Sequence, residues 1–160
     1  IFNLLGPLTN PANAKIQLLG VYSKDLVSIH CNCLKELGSD RALVVHGLDG
    51  LDEISLSDKT LINELKDNKI KEYIFDPKEY GYDYIKIEEI KGGSPEFNAL
   101  SFENMINGNN EPYKNIVAIN AGAAIYLSGK AKDLKDGFTI AHKVIDEGIT
   151  KNFVYSLING

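Results

Sequence analysis

The residues best placed to do chemistry lie in Ala42–Ser57, ALVVHGLDGLDEISLS, where Asp52 and Glu53 stand as neighbouring carboxylates just after a Gly-rich turn. Adjacent oxygen ligands suit a hard cation such as Mg²⁺, which takes one or two carboxylates and leaves its other positions to water and phosphate. An Asp-Glu pair in a loop is more often plain solvated surface. The elements around it therefore carry the weight.

Ala42–Val45 is a short apolar run suited to a strand buried on both faces of a parallel sheet. His46-Gly47 ends it, and Gly47 and Gly50 allow a sharp turn. In open α/β sheets ligands collect beyond the carboxyl ends of the strands, which is where this turn falls. Upstream, Ile16–Tyr22 reads as a buried strand, and Ser23 caps a helix running to about Leu37 with Gly38 as its stop. Leu26, Ile29, Cys33, Leu34 and Leu37 mark its apolar stripe, and His30 on that stripe reads as a core histidine. Strand, helix and the strand at Ala42 make one βαβ unit.

Downstream, Ile54–Leu56 is expected to form a short strand. Thr60–Leu65 and Ile70–Phe75 flank a hairpin turn at Lys66-Asp67-Asn68-Lys69. Pro77–Tyr82 reads as a turn or short helix, and Tyr84–Ile90 as a half-exposed strand. Gly92-Gly93-Ser94-Pro95 opens a helix with Ser94 as N-cap and Pro95 at its first position. No Lys-Ser/Thr follows, so this is not a P-loop. Tyr113–Leu127 is apolar nearly all round, hence a buried helix, and Ala121–Ala124 would let it pack closely. Lys132–Glu147 is amphipathic through Leu134, Phe138, Ala141 and Ile145, with His142 beside that face. A last short helix spans Lys151–Ile158. The whole is expected to be a single α/β domain over residues 1–160. Its sheet should be largely parallel, with helices on both faces, a hairpin and some antiparallel strand.

Composition excludes several functions. The 160 residues are 44% hydrophobic and 24% charged, ordinary for a globular domain, with a net charge of −5. Arg41 is the sole arginine among 17 basic residues, which argues against a nucleic-acid or anionic-membrane surface. Ile116–Leu127 is the nearest approach to a membrane span and is too short. Cys31 and Cys33 are two apart in a helix, so their side chains diverge and a reduced, cytoplasmic protein is expected.

Four segments, IFNLLGPLTNPA (Ile1–Ala12), LVVHGLDGLDEIS (Leu43–Ser55), GGSPEFNA (Gly92–Ala99) and VAINAGAAIYLSGKA (Val117–Ala131), together resemble the anthranilate phosphoribosyltransferase family, in the same order and at similar spacing. The first two are the specific ones; the last two are shared more loosely with pyrimidine nucleoside phosphorylases. The resemblance implies the C-terminal part of a glycosyltransferase catalytic domain of tryptophan biosynthesis. That enzyme joins the anthranilate amine to phosphoribosyl pyrophosphate in a homodimer. It also implies that Asp52 and Glu53 hold Mg²⁺, the glutamate serving two ions and the aspartate one. No catalytic or substrate-contacting residue is assigned within the 160.

Departures from the family pattern are equally specific. The family's Gly-Thr-Gly-Gly-Asp loop, its Lys-His-Gly-Asn segment and its small N-terminal helical domain all lie upstream of the part matching Ile1. So does the arginine that contacts anthranilate. The chain is accordingly expected to be a fragment, inactive by itself. Phe97 stands where relatives commonly carry a glutamate. The alternatives are a pyrimidine nucleoside phosphorylase, disfavoured by Leu-Gly-Pro-Leu-Thr-Asn-Pro and Asp52-Glu53, and a non-catalytic paralogue that binds nucleic acid, disfavoured by the acidic balance.

Overall fold

The computed structural model describes residues 5–9 and 11–159. Part of the Ile1–Ala12 segment therefore lies outside the described residues. The chain groups into two compact units, Ile1–Tyr84 with Leu127–Gly129, and Ile85–Tyr126 with Lys130–Gly160.

The first unit is a four-stranded sheet in the order β1-β2-β3-β4: β1 (Ile16–Gly20), β2 (Arg41–Gly47), β3 (Thr60–Lys66) and β4 (Lys69–Phe75). Helix α1 (Lys24–Glu36) connects β1 to β2 and packs on β2 and β3. The expected largely parallel sheet is met in one pair only: β1 and β2 are parallel, while β2/β3 and β3/β4 are antiparallel. The reason is the connection. No crossover helix separates Gly47 from Thr60, so β3 can return only in the opposite sense. β2 is nonetheless buried from Ala42 to Gly47, as its apolar run demanded.

The hairpin falls where the sequence put it. Asp67 (φ 50°) and Asn68 (φ 59°) both take the left-handed conformation that a two-residue turn between twisted strands requires. Asp and Asn tolerate that region better than other side-chain-bearing residues. Lys66 then pairs with Lys69, which sets the β3/β4 register.

Two expected strands are absent, each for a local reason. Ile54–Leu56 is buried but forms no strand of the sheet, its Ser55 N–H donating to the Thr60 hydroxyl at 2.9 Å. Tyr84–Ile90 holds a 3-10 turn at Ile87–Glu89, because the Glu89 carboxylate accepts the Lys86 N–H at 2.8 Å and folds the backbone on itself. The stripe on α1 is also rotated from expectation. Val27, His30, Cys31 and Leu34 are buried, whereas Ile29 and Leu37 are more than half exposed. Two adjacent stripes were available, and the sheet selected the one whose β-branched and small side chains fit against β2 and β3. Cys31 donates its thiol to the Asn63 carbonyl at 3.7 Å, and burial pushes its pKa up to about 11. His30 donates its Nδ1–H to the Leu26 carbonyl at 3.0 Å, a structural role.

The second unit is helical: α2 (Pro95–Ile106), α3 (Glu111–Leu127), α4 (Leu134–Asp146) and α5 (Ile149–Asn159). Ser94 caps α2, its hydroxyl accepting from the Phe97 N–H at 3.3 Å. Asn98 braces the same corner, accepting from the Gly93 N–H at 2.8 Å and donating to the Gly93 carbonyl at 3.3 Å. Phe97 is half exposed, its ring lying against Gly93. Met105, Ile106, Ala118, Ala141 and Ile145 form a core joined by Tyr113, Val117, Ile125 and Val154.

Gly122 of α3 and Gly137 of α4 meet backbone to backbone, and a Cβ on Gly137 would overlap the Gly122 carbonyl. Alanine normally favours a helix over glycine by about 1 kcal/mol. Here the clash dominates, because the obstructing atoms are main chain and cannot rotate away. Gly137→Ala should therefore destabilise the chain by about 1–3 kcal/mol, read as a lower denaturant midpoint with unchanged slope. A stabilised variant would show that the two helices can separate at no cost.

Candidate metal centre

The Gly47–Thr60 loop carries Asp52 and Glu53 past the carboxyl end of β2. At its root, His46 is buried and its Nδ1 lies 2.8 Å from the Val21 carbonyl, while the Val21 N–H donates to the Val45 carbonyl at 3.0 Å. These bonds continue the β1/β2 pairing up to the start of the turn. The Gly47 N–H then donates to the Leu51 carbonyl at 2.8 Å, and the Leu48 N–H to the Lys59 carbonyl at 2.8 Å. The loop is thereby closed at its base and drawn back on itself before the carboxylates.

Asp49 holds the interior of the turn. Its Oδ1 accepts the Leu51 N–H at 3.1 Å, and its Oδ2 accepts the Ser55 hydroxyl at 2.5 Å and also the Ser57 hydroxyl. Ser55 Oγ in turn accepts the Ser57 N–H at 2.9 Å. Burial alone would raise the Asp49 pKa, but the Ser55, Ser57 and Leu51 hydrogen bonds outweigh it and hold the carboxyl below its ordinary value of 3.8. Glycines make room for this. A Cβ on Gly47 would collide with Asp49 Oδ1, and a Cβ on Gly20 would overlap the Asp52 carbonyl. The backbone bearing the acidic pair thus lies directly against the end of β1.

Asp52 and Glu53 themselves face solvent, with Ile54, Ser55 and Leu56 fully buried immediately behind them. Among the described residues no lysine or arginine forms an ion pair with either carboxylate. Although Glu53 is exposed as a residue, its carboxyl is partly desolvated. That desolvation, followed by the negative charge of Asp52, raises its pKa above the ordinary 4.5. Two carboxylates side by side with no counter-ion among the described residues leave room for a cation. Among the described residues no group of three or more His, Cys, Asp or Glu side chains could enclose a metal. A closed cage is therefore not on offer. A two-carboxylate seat completed by water and phosphate oxygens is the arrangement Mg²⁺ tolerates and Zn²⁺ does not favour.

The structure keeps the expected pair together and adds residues that sequence reading missed: Asp49, Ser55, Ser57 and Gly20. The only trace of Asp49 in the sequence is the doubled tripeptide Gly47-Leu48-Asp49 and Gly50-Leu51-Asp52, which does not say which aspartate turns inward. His142 belongs to the helical unit, its pKa lowered first by burial and further by Lys114 against the opposing effects of Asp146 and Glu111.

A mixed four-stranded sheet with a helix packed on it defines an α/β domain. The family model described as glycosyl transferase family, a/b domain, matches residues 1–151, and the chain belongs to that family. Anthranilate phosphoribosyltransferase of Methanobrevibacter smithii is 46% identical over 151 residues, covering 94% of this chain and 45% of that protein. The crystal structure of anthranilate phosphoribosyltransferase from Thermus thermophilus superposes with a TM-score of 0.83 at 39% identity, covering 92% of this chain and 43% of that one. The Saccharomyces cerevisiae enzyme in complex with PRPP and Mg superposes with a TM-score of 0.78 at 28% identity, with the same coverage of 92% and 43%. The chain spans less than half the length of the relatives it matches.

The two kinds of acid in this turn should separate in a stability experiment. Asp49 has a folded pKa below its unfolded value, so its contribution is present above pH 3.8 and is lost as pH falls through the lower folded value. Asp49→Asn should therefore lower stability at neutral pH by about 1.5–3 kcal/mol and flatten the acid limb of the stability curve. Glu53 has the opposite sign. Its folded pKa is raised, so ionisation opposes folding above that value and has no effect below 4.5. Glu53→Gln should leave the melting temperature at pH 7 unchanged or slightly higher. A marked loss of stability in Glu53→Gln would mean that the carboxylate is held by the fold and not presented from it.

Proposed function

We propose that this chain is the metal-bearing part of an anthranilate phosphoribosyltransferase, the enzyme that transfers a phosphoribosyl group from phosphoribosyl pyrophosphate to anthranilate in tryptophan biosynthesis. The observation that carries the reading is the pair Asp52-Glu53, presented from a braced turn beyond β2 without a counter-ion among the described residues. Sequence similarity to enzymes of that name over most of the chain supports it, as does the yeast relative's complex with PRPP and Mg.

Breaking the bond between the anomeric carbon and the diphosphate builds negative charge on the leaving oxygens. When bound, Mg²⁺ would supply positive charge that offsets it. Asp52 and Glu53 are the residues that would hold the ion. The buried stretch Ile54–Leu56 and the bonds to Asp49 keep the loop from swinging with its cargo, which is the positioning contribution this chain makes. No residue of this turn is assigned as a general base, because a neutral arylamine is already nucleophilic. The proposal includes a homodimeric, cytoplasmic enzyme in a polypeptide of the relatives' length, and predicts no transfer by these 160 residues alone.

In such a polypeptide, Asp52→Asn with Glu53→Gln should cut kcat/KM for phosphoribosyl pyrophosphate by at least about tenfold at limiting Mg²⁺, with the far-ultraviolet circular dichroism unchanged. Kinetics identical to the parent at limiting Mg²⁺ would remove the acidic pair from the mechanism.

A further inference from the structure

We infer that Asp49 is a positioning residue for the metal-holding pair, whose charge fixes the course of the Leu51–Glu53 backbone through the Ser55 and Ser57 hydroxyls and the Leu51 N–H. The inference rests on the reading of Asp52 and Glu53 as the pair that holds Mg²⁺. Three aspartate or glutamate side chains lie within five residues here, and hydrogen bonding separates their roles. Asp49 spends both oxygens inside the loop: Oδ1 on the Leu51 N–H and Oδ2 on two hydroxyls. Its oxygens are thus engaged within the turn, where its role is to hold the loop. Asp52 and Glu53 make no comparable side-chain bonds among the described residues and remain available.

The wiring explains how this reaches the pair. Asp49 grips Leu51 on one side of Asp52-Glu53 and Ser55 and Ser57 on the other, so the two carboxylates occupy the crown of a loop tied across its middle. Ser55 is also anchored from below, its N–H on the Thr60 hydroxyl at 2.9 Å, and its Oγ accepts the Ser57 N–H at 2.9 Å. The remaining side of the crown is fixed by the Asp52 carbonyl lying against Gly20, where no side chain could be added. An uncharged residue at 49 would leave the buried Ser55 hydroxyl and the half-buried Ser57 hydroxyl without their charged acceptor. The crown would then sample conformations in which the carboxylates diverge. Groups that orient metal ligands in this way typically cost about 10–100-fold in metal affinity when removed.

The test compares Asp49→Ala, Ser57→Ala and Asp52→Asn/Glu53→Gln, with Mn²⁺ as the probe ion and inorganic pyrophosphate present. Binding is read by electron paramagnetic resonance of free Mn²⁺, on a polypeptide of the relatives' length containing this chain. Asp49→Ala should weaken Mn²⁺ binding by about tenfold. It should also raise the Mg²⁺ concentration needed for half-maximal transfer, while leaving kcat at saturating Mg²⁺ within a factor of about three of the parent. A residue that only stabilises the fold would lower the melting temperature and leave Mn²⁺ affinity unchanged, and that result would overturn the inference. If Asp49→Ala does not fold, Ser57→Ala decides the matter, with a severalfold loss of Mn²⁺ affinity expected and none overturning it. Should Asp52→Asn/Glu53→Gln bind Mn²⁺ like the parent, the failure lies in the metal reading itself and not in the role of Asp49.

Discussion

A carboxylate that accepts three hydrogen bonds from its own loop is a strong local constraint, and Asp49 supplies it here. Charged acceptors make hydrogen bonds roughly twice as strong as neutral ones, so two hydroxyls and an N–H converge on Asp49 where a water cluster would otherwise form. The consequence is a twelve-residue connection, between Gly47 and Thr60, with almost no regular structure and little freedom. Its backbone groups are satisfied one by one by side-chain oxygens: Ser55 by Thr60, Ser57 by Ser55, Leu51 by Asp49. Such a loop can bury Ile54 and Leu56 as deeply as a strand would and still hold two acidic residues outward.

That arrangement works against stability at one point. Glu53 sits beside Asp52, partly desolvated and unpaired among the described residues, so its ionisation is disfavoured by the folded chain. Folding alone gives no reason to keep two like charges together. The rigidity supplied by Asp49, Gly20 and the β1/β2 pairing offsets the repulsion, and on the proposed reading a cation relieves it. Strain concentrated where a ligand would remove it is a common feature of binding sites.

The helical unit solves a different problem. Its α3 and α4 approach backbone to backbone through Gly122 and Gly137, and the amphipathic face of α4 closes over a core of Met105, Ile106 and Ala118. The corner before α2 is pinned by Ser94 and Asn98 using only short-range bonds. Phe97 projects from that corner into solvent beside Gly93, so a hydrophobic residue there costs the fold nothing evident.

Periodicity and turn chemistry alone determined β1, α1, β2, the β3/β4 hairpin and the capped start of α2, because each is specified by residues close together in the chain. Asp67-Asn68 demands a tight hairpin and Ser94-Pro95 a helix start wherever they are placed. The acidic pair was legible for the same reason: adjacency and a glycine turn are local facts. Only the tertiary structure decided that β3 runs antiparallel to β2, that α1 buries Val27 and Cys31 instead of Ile29 and Leu37, and that Ile54–Leu56 stays outside the sheet. It also decided which of two Gly-Leu-Asp aspartates turns inward. Each of those outcomes depends on what stands opposite: a strand, a sheet face, the Gly20 backbone or two serine hydroxyls. Such partners come from chain segments whose meeting no local pattern encodes.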